Sequence, residues 1–326
     1  MKKITFLFLI VSSSVLAQTG PAGVGNATGA SGQPENIIWL DAGTLGFGDG
    51  SDVTTWTDIS GNGVVFAASG SGNLPDFETN EINGLPVVEF NDGNAERLNI
   101  NPFNNMASDQ ITSIIVFATP NTGEGILSYA VSGQSNEYLI YDANNIRTYI
   151  SNANAGGGDL SDGATAFNIF TSTWNSAGGA LNHYKNSSSV NSATLANGVS
   201  ITNGGSFTIG GEQDNIDGGY ATNQDFNGKI AEILLFKNEL NGAERLIIEN
   251  YLSQKYGIAI GNDFFSGGDA SYINDLRGIG TANGSDKFSQ SGFSDALQLS
   301  ELNGSLNATN EFVMFAHDNT VHAQGQ

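Results

Sequence analysis

The chain has 326 residues, 33 of them Asp or Glu against 11 Lys or Arg, giving a net charge of −22 at pH 7. Such a field repels nucleic acid and anionic membrane surfaces and favours cations. Only 13% of residues are charged and 39% are hydrophobic, which excludes a disordered polyacid, and the absence of cysteine excludes disulfides and a lipidated cysteine anchor.

Lys2 and Lys3, the apolar run Ile4–Val11 and the small-residue stretch Ser12–Ala17 follow the order of a signal peptide. The apolar run is well short of the roughly 18 residues that a membrane span needs. Residues 1–17 therefore predict export, cleavage near Ala17 and no membrane insertion. Cleavage removes two lysines and leaves 9 basic against 33 acidic residues, a charge of −24. Residues 18–36 lack apolar periodicity and read as a flexible Gly-rich leader.

Strand-like runs follow at short intervals: Ile37–Asp41, Val53–Thr57, Val87–Phe90, Ile111–Thr119, Ile126–Val131 and Glu137–Tyr141. Ile146–Ile150, Phe167–Trp174, Leu181–Tyr184, Ser206–Ile209 and Lys229–Phe236 continue the series. Gly and Asn crowd the spacers, where hairpin turns need positive φ. Ile114–Phe117 is apolar throughout and predicts a strand covered on both faces. Many strands without intervening helices predict an all-β, two-sheet antiparallel sandwich over residues 37–260.

One helix closes it. Asn241 is placed to cap, Glu244 completes a capping-box spacing, and Gly257 stands where a left-handed residue ends a helix. Ile247, Ile248, Tyr251, Leu252 and Tyr256 form one apolar stripe, which has to dock on a sheet to be stable in water. Beyond it, residues 261–326 carry two separated apolar runs, Ile273–Ile279 and Phe312–Phe315, and read as an incomplete second β-rich module. Partial docking on the helix, with a loose end after Ala316, is the expected arrangement.

The stretch Phe226–Gly257, FNGKIAEILLFKNELNGAERLIIENYLSQKYG, resembles the closing segment of the laminin-G-like (concanavalin A-like) domains of bacterial secreted surface proteins. Ile38-Trp-Leu-Asp41-Ala42 and Trp56-Thr-Asp58-Ile-Ser60-Gly-Asn62-Gly63 are similar to motifs of the same family. The resemblance implies a jelly-roll sandwich with a C-terminal helix, a cell-surface setting and membership of a longer multidomain chain.

Asp58, Ser60 and Asn62 alternate before Gly63, so their oxygens can converge as calcium prefers, with Asp41 available to complete the set. The competing reading is a turn whose Asp and Ser cap backbone amides. Glu212, Asp214 and Asp217 in GEQDNIDGG are the second acidic group. Retaining glucanases of concanavalin A-like fold carry Glu-x-Asp-x-(x)-Glu on a strand, with carboxyls about 5 to 5.5 Å apart. The flanking glycine pairs make this string a loop, which favours a solvated acidic loop or calcium ligation over catalysis. Trp39, Trp56 and Trp174 lie inside strand patterns and read as core, whereas Phe47, Tyr129 and Tyr220 lie in or near Gly-rich loops and suit stacking on a sugar.

These readings predict a non-catalytic module that binds a glycan or extracellular matrix and serves adhesion. A glycoside-active enzyme and a structural spacer in a long adhesin are the alternatives. Calcium is the one cofactor implied.

Overall fold

The structure, a computed structural model, describes residues 20–68, 73–221, 223–265, 274–291, 299–302 and 304–317. The residues predicted to form a signal peptide and the loose end expected beyond Ala316 fall almost wholly outside that set. Among the described residues, no helix is long and apolar enough to cross a membrane.

Strands β1 (Asn36–Asp41), β2 (Ser51–Asp52), β3 (Thr55–Thr57), β4 (Val65–Ala68), β5 (Asp76–Ile82), β6 (Leu85–Phe90) and β7 (Leu98–Phe103) come first. β8 (Gln110–Ala118), β9 (Gly125–Val131), β10 (Gln134–Tyr141), β11 (Arg147–Ile150) and β12 (Ala153–Gly156) follow. β13 (Asn168–Asn175), β14 (Ala180–Lys185), β15 (Ser188–Thr194), β16 (Gly205–Ile209) and β17 (Gly228–Phe236) lead into helix α1 (Gly242–Tyr256). β18 (Asn274–Thr281), β19 (Lys287–Phe288) and β20 (Glu311–His317) complete the regular structure of the described residues.

Strands β1 to β17 form two antiparallel sheets of a jelly-roll sandwich. The back sheet runs β15-β14-β13-β8-β17-β6-β5-β2, with β1 beside the second half of β17. The front sheet runs β12-β11-β10-β9-β16-β7-β4-β3. The predicted strand Val53–Thr57 is shortened to β3, which pairs in the front sheet, whereas β2 just before it pairs in the back sheet, so the chain changes sheet across Val53, which is buried, and Thr54. β8 is covered on both faces as its unbroken apolar run requires, with Ile115 and Phe117 in the core between the sheets and Ile114 and Val116 in the layer behind. Burying each such side chain contributes about 1.5–3 kcal/mol. Trp56 and Trp174 lie in the inter-sheet core, while Trp39 is half-buried on the back.

The core also carries polar clips between the sheets. Tyr138 of β10 donates to Ser113 Oγ of β8 at 2.8 Å. Thr148 of β11 meets Ser172 Oγ of β13 at 2.8 Å and His183 Nε2 of β14 at 2.9 Å.

Helix α1 closes the back face. Asn241 Oδ1 accepts the N–H groups of Ala243 and Glu244, Glu244 Oε2 accepts the Asn241 N–H, and Gly257 ends the helix at φ 66°. Its Ile247, Ile248, Leu252 and Tyr256 pack with Ile114, Val116, Leu234 and Phe236 of the back sheet. The expected flexible leader is corrected from Gly20 onward. Ala22 and Val24 are buried in this same layer, and Gly20 N–H donates to the Gly25 carbonyl at 2.8 Å. A run without periodicity is ordered here because it caps an apolar surface left open by the helix.

The region after Gly257 is corrected in part too. The two separated apolar runs, read as parts of an incomplete module, pair with each other, β18 against β20, and β19 extends the sheet to three strands. Leu276, Ile279, Phe288, Leu306 and Ala316 join the layer formed by α1 and residues 22–24.

Candidate functional site

With the back face closed, the outer face of the front sheet is the surface left for a ligand. Alternation along β10 and β11 sends Tyr138, Ile140, Thr148 and Ile150 into the sandwich, so Leu139, Tyr141, Arg147 and Tyr149 face out. Asn154, Tyr149, Leu139, Ser128, Thr208 and Asn99 are successive cross-strand partners from β12 to β7. A parallel row holds Gly156, Arg147, Tyr141 and Gly125.

The segment between β16 and β17 folds back over this face at β9, β16 and β7. Gln213 fastens it: its N–H donates to Ser128 Oγ at 3.1 Å, and its Nε2 donates to the carbonyls of Ser128 at 2.8 Å and Ser206 at 2.9 Å. Gln213 Oε1 in turn accepts from Ser206 Oγ at 2.5 Å and from the Asp217 N–H at 3.1 Å. Further out, the Tyr220 hydroxyl meets Thr208 Oγ1 at 2.9 Å, and Asp217 accepts from Asn99 Nδ2. The Arg97 guanidinium, paired with Asp225, lies 4.1 Å from the centre of the Tyr220 ring. Where this loop meets the β9–β10 turn there is a cleft of about 490 Å³, lined by Val131, Ser132, Gly133, Gln134, Ser135, Asn152, Asp214, Asn215 and Ile216. Ile216 is 39% exposed and, with the buried Val131, gives an apolar contact in a mainly polar lining.

Glu212 sits at the root of the loop. It is 2% exposed, and its Oε2 has no hydrogen-bond partner. Burial first, then the Asp214 charge, push its carboxyl up to about 7. Gly125 makes room for it: a Cβ there would lie 2.6 Å from the Glu212 nitrogen. Asn136 Oδ1, next to the cleft residue Ser135, is a second buried oxygen without a partner. An unpaired buried carboxylate oxygen is costly, and a hard cation relieves both that cost and the Asp214 repulsion. Glu212 and Asp214 thus fit calcium in charge and donor type. Among the described residues, however, no three His, Cys, Asp or Glu side chains converge on one point. Any such site draws its remaining oxygens from amides, carbonyls and water.

The other predicted calcium set is corrected. Asp58 Oδ1 accepts the N–H groups of Trp39 at 2.7 Å and Ser60 at 3.0 Å, and Oδ2 accepts Ser60 Oγ at 2.7 Å. Asn62 turns its amide nitrogen, not its oxygen, toward Ser60 Oγ and the Asn36 carbonyl. Asp41 lies elsewhere, binding the Gly43 N–H and Lys255 Nζ. The motif is a turn that clips onto β1, since its carboxylate is already filled by protein donors.

The aromatic expectations divide as well. Tyr129 is corrected from loop to core: it is fully buried, its hydroxyl donating to the Thr202 carbonyl and accepting the Gly205 N–H. Phe47 packs edge-on against Phe77 at the margin of the core. Tyr220 stands at the site, but Arg97 occupies one face of its ring. Of the acidic trio, Glu212 is buried, Asp214 is exposed, and Asp217 is bound to Asn99. The surface residues that sequence reasoning missed are Tyr141, Arg147, Tyr149 and Asn152. The alternation of Glu137–Tyr141 and Ile146–Ile150 separated two faces without showing which one meets the second sheet.

Residues 104–254 match the family model described as Pentaxin family, a jelly-roll domain of the concanavalin A-like and laminin-G-like kind. No curated protein matches the chain. Among solved structures, a native heptameric SAP-like pentraxin from Limulus polyphemus is 22% identical, covering 44% of this chain and 70% of its own, with a TM-score of 0.38. Domain 4 of an extracellular arabinanase from Geobacillus stearothermophilus, in complex with arabinotriose, is 13% identical over 63% of this chain and 93% of its own, with a TM-score of 0.45. The binding domain of botulinum neurotoxin DC, in complex with SialylT, is 14% identical over 67% of this chain, with a TM-score of 0.46. This chain spans about half of that domain's length, 51%.

Proposed function

We propose that the chain is a non-catalytic glycan-binding module of an exported surface protein, serving adhesion to a glycan or matrix. The observation that carries this reading is the asymmetry of the sandwich. Its back face is closed by α1 and residues 22–24, whereas its front face holds a cleft lined by the amides and hydroxyls of Ser132, Gln134, Ser135, Asn152 and Asn215. Such groups match sugar hydroxyls in donor and acceptor type, and Ile216 adds an apolar contact for a ring face. Export rests on the order of residues 2–17.

Glu212 and Asp214 are the side chains that would hold calcium. When bound, the ion supplies a Lewis-acidic contact for vicinal hydroxyls. The loop's own part is to orient: Gln213 holds it to Ser128 and Ser206, so Asp214 and Asn215 stand on the cleft wall. A hydrolase reading is less favoured because Glu212 is closed from solvent and Asp217 is bound to Asn99, leaving no two free carboxyls beside the cleft.

A polysaccharide array combined with a reducing-sugar assay tests the proposal. Binding without product is the expected result. Release of reducing ends overturns the non-catalytic part, and silence in both assays leaves the spacer role in its place.

A further inference from the structure

Among the described residues, the basic groups of this chain are almost all paired. Of its 11 basic residues, Lys2 and Lys3 fall in the predicted signal peptide. Arg97, Lys185, Lys229, Lys237, Arg245, Lys255 and Lys287 each pair with a carboxylate. Arg277 also has a partner. Among the described residues, Arg147 is the one cation with no ion pair, hydrogen bond or ring contact. In a protein with 33 acidic residues that isolation stands out, since nearly every other cation has found one.

Arg147 shares the outer face of the front sheet with the cleft but stands at the opposite end of β10 and β11. Arg147 lies half-buried on the outer face of β11, one row from Tyr149, and its direct cross-strand partner on β10 is Tyr141. Its partner on the other side is Gly156, where a Cβ would lie 2.1 Å from the Ile146 carbonyl oxygen, so no side chain covers that flank. Tyr141 and Tyr149 stand edge-to-face, ring centres 6.2 Å apart. The strip adjoins the folded loop on the same sheet face.

Resting on the glycan-binding reading, we propose that Arg147, with Tyr141 and Tyr149, forms a subsite for an isolated acidic substituent, a carboxylate or sulfate, on an otherwise neutral glycan. The guanidinium fork matches either oxyanion in bidentate fashion, and the rings offer an edge and a face to the sugar that bears it. Isolation of the substituent follows from electrostatics. Arg147 acts within a Debye length of about 8 Å at physiological salt, whereas the net charge of −22 opposes a densely charged polymer.

The test uses the full chain on an array in which neutral oligosaccharides are each printed beside counterparts carrying a single uronate or a single sulfate. The expected result is tighter binding of one or both acidic members. Arg147→Gln should remove that advantage, lowering binding of the acidic members roughly 10- to 100-fold relative to the neutral ones, as expected for a charge-assisted contact. Arg147→Lys keeps the charge without the fork and should recover only part. Comparison of the uronate and sulfate members identifies the source of the anion. Equal binding of neutral and acidic members, unaffected by Arg147→Gln, overturns the subsite while the glycan-binding reading stands. No binding to any member overturns both. The side chain is half-exposed and unpaired, so melting temperatures of the variants should match the parent, which separates lost binding from lost folding.

Discussion

Lys255→Met is expected to be among the most damaging single changes outside the inter-sheet core. Lys255 Nζ lies 2.7 Å from Glu232 Oε2 and 2.6 Å from Asp41 Oδ2. Glu232 is 1% exposed, and it also accepts from Trp39 Nε1 at 2.7 Å, Tyr256 OH at 2.8 Å and Tyr251 OH at 3.2 Å. Burial raises the Glu232 carboxyl above its ordinary value even with the lysine present. Removing the lysine leaves a buried carboxylate with neutral donors alone, a loss of about 3–5 kcal/mol. At roughly 2–4 °C per kcal/mol, the melting temperature should fall by on the order of 10 °C. The loss should depend on pH with a definite sign. A carboxyl raised in the native state holds a proton that the unfolded chain releases above about 4.5, so the deficit grows as pH rises from there. Lys255→Met/Glu232→Gln should recover much of the stability, because no charge is then stranded. Urea unfolding of parent, single and double variants at pH 5 and pH 8 measures all of this. A loss below about 1 kcal/mol, or an equal loss at both pH values, would refute the account of a buried pair that fastens α1 to the back sheet.

Two further predictions concern the site and the core. Millimolar calcium should raise the melting temperature, by about 2.7 kcal/mol of stability at a hundredfold excess over Kd. Glu212→Gln should abolish that rise, whereas Asp58→Ala should keep it and lower the baseline by about 1–3 kcal/mol; an unchanged melt with calcium or chelator sinks the placement at Glu212. Burial pushes His183 down to about 4 from its ordinary 6.5, against the Gly157 backbone, so the unfolded state binds the extra proton and stability should fall as pH drops from 6.5 to 4. His183→Asn should flatten that acid limb by on the order of 3 kcal/mol; an identical pH curve in the variant would show that His183 is not the titrating group.

Features that are local or periodic could be read from the residues alone. The helix was legible down to Asn241, Glu244 and Gly257, because a cap, its reciprocal Glu and a left-handed glycine depend on neighbours within one turn. The apolar run in β8 announced cover on both faces, and the Gly/Asn spacers announced turns. Which side of each strand faces inward emerged from the packing of the two sheets. A period of two is blind to the sign of the face, so Tyr129 passed for a sugar platform while Tyr141, Arg147 and Tyr149 were overlooked. Tertiary packing also decided the partners of long-range groups. Asp58 is filled by a donor 19 positions away, Gln213 reaches back 85 positions to Ser128, and Lys255 pairs across 214 positions with Asp41. No window of sequence contains such pairs, because a hydrogen bond depends on distance in space and the chain brings its ends together only by folding.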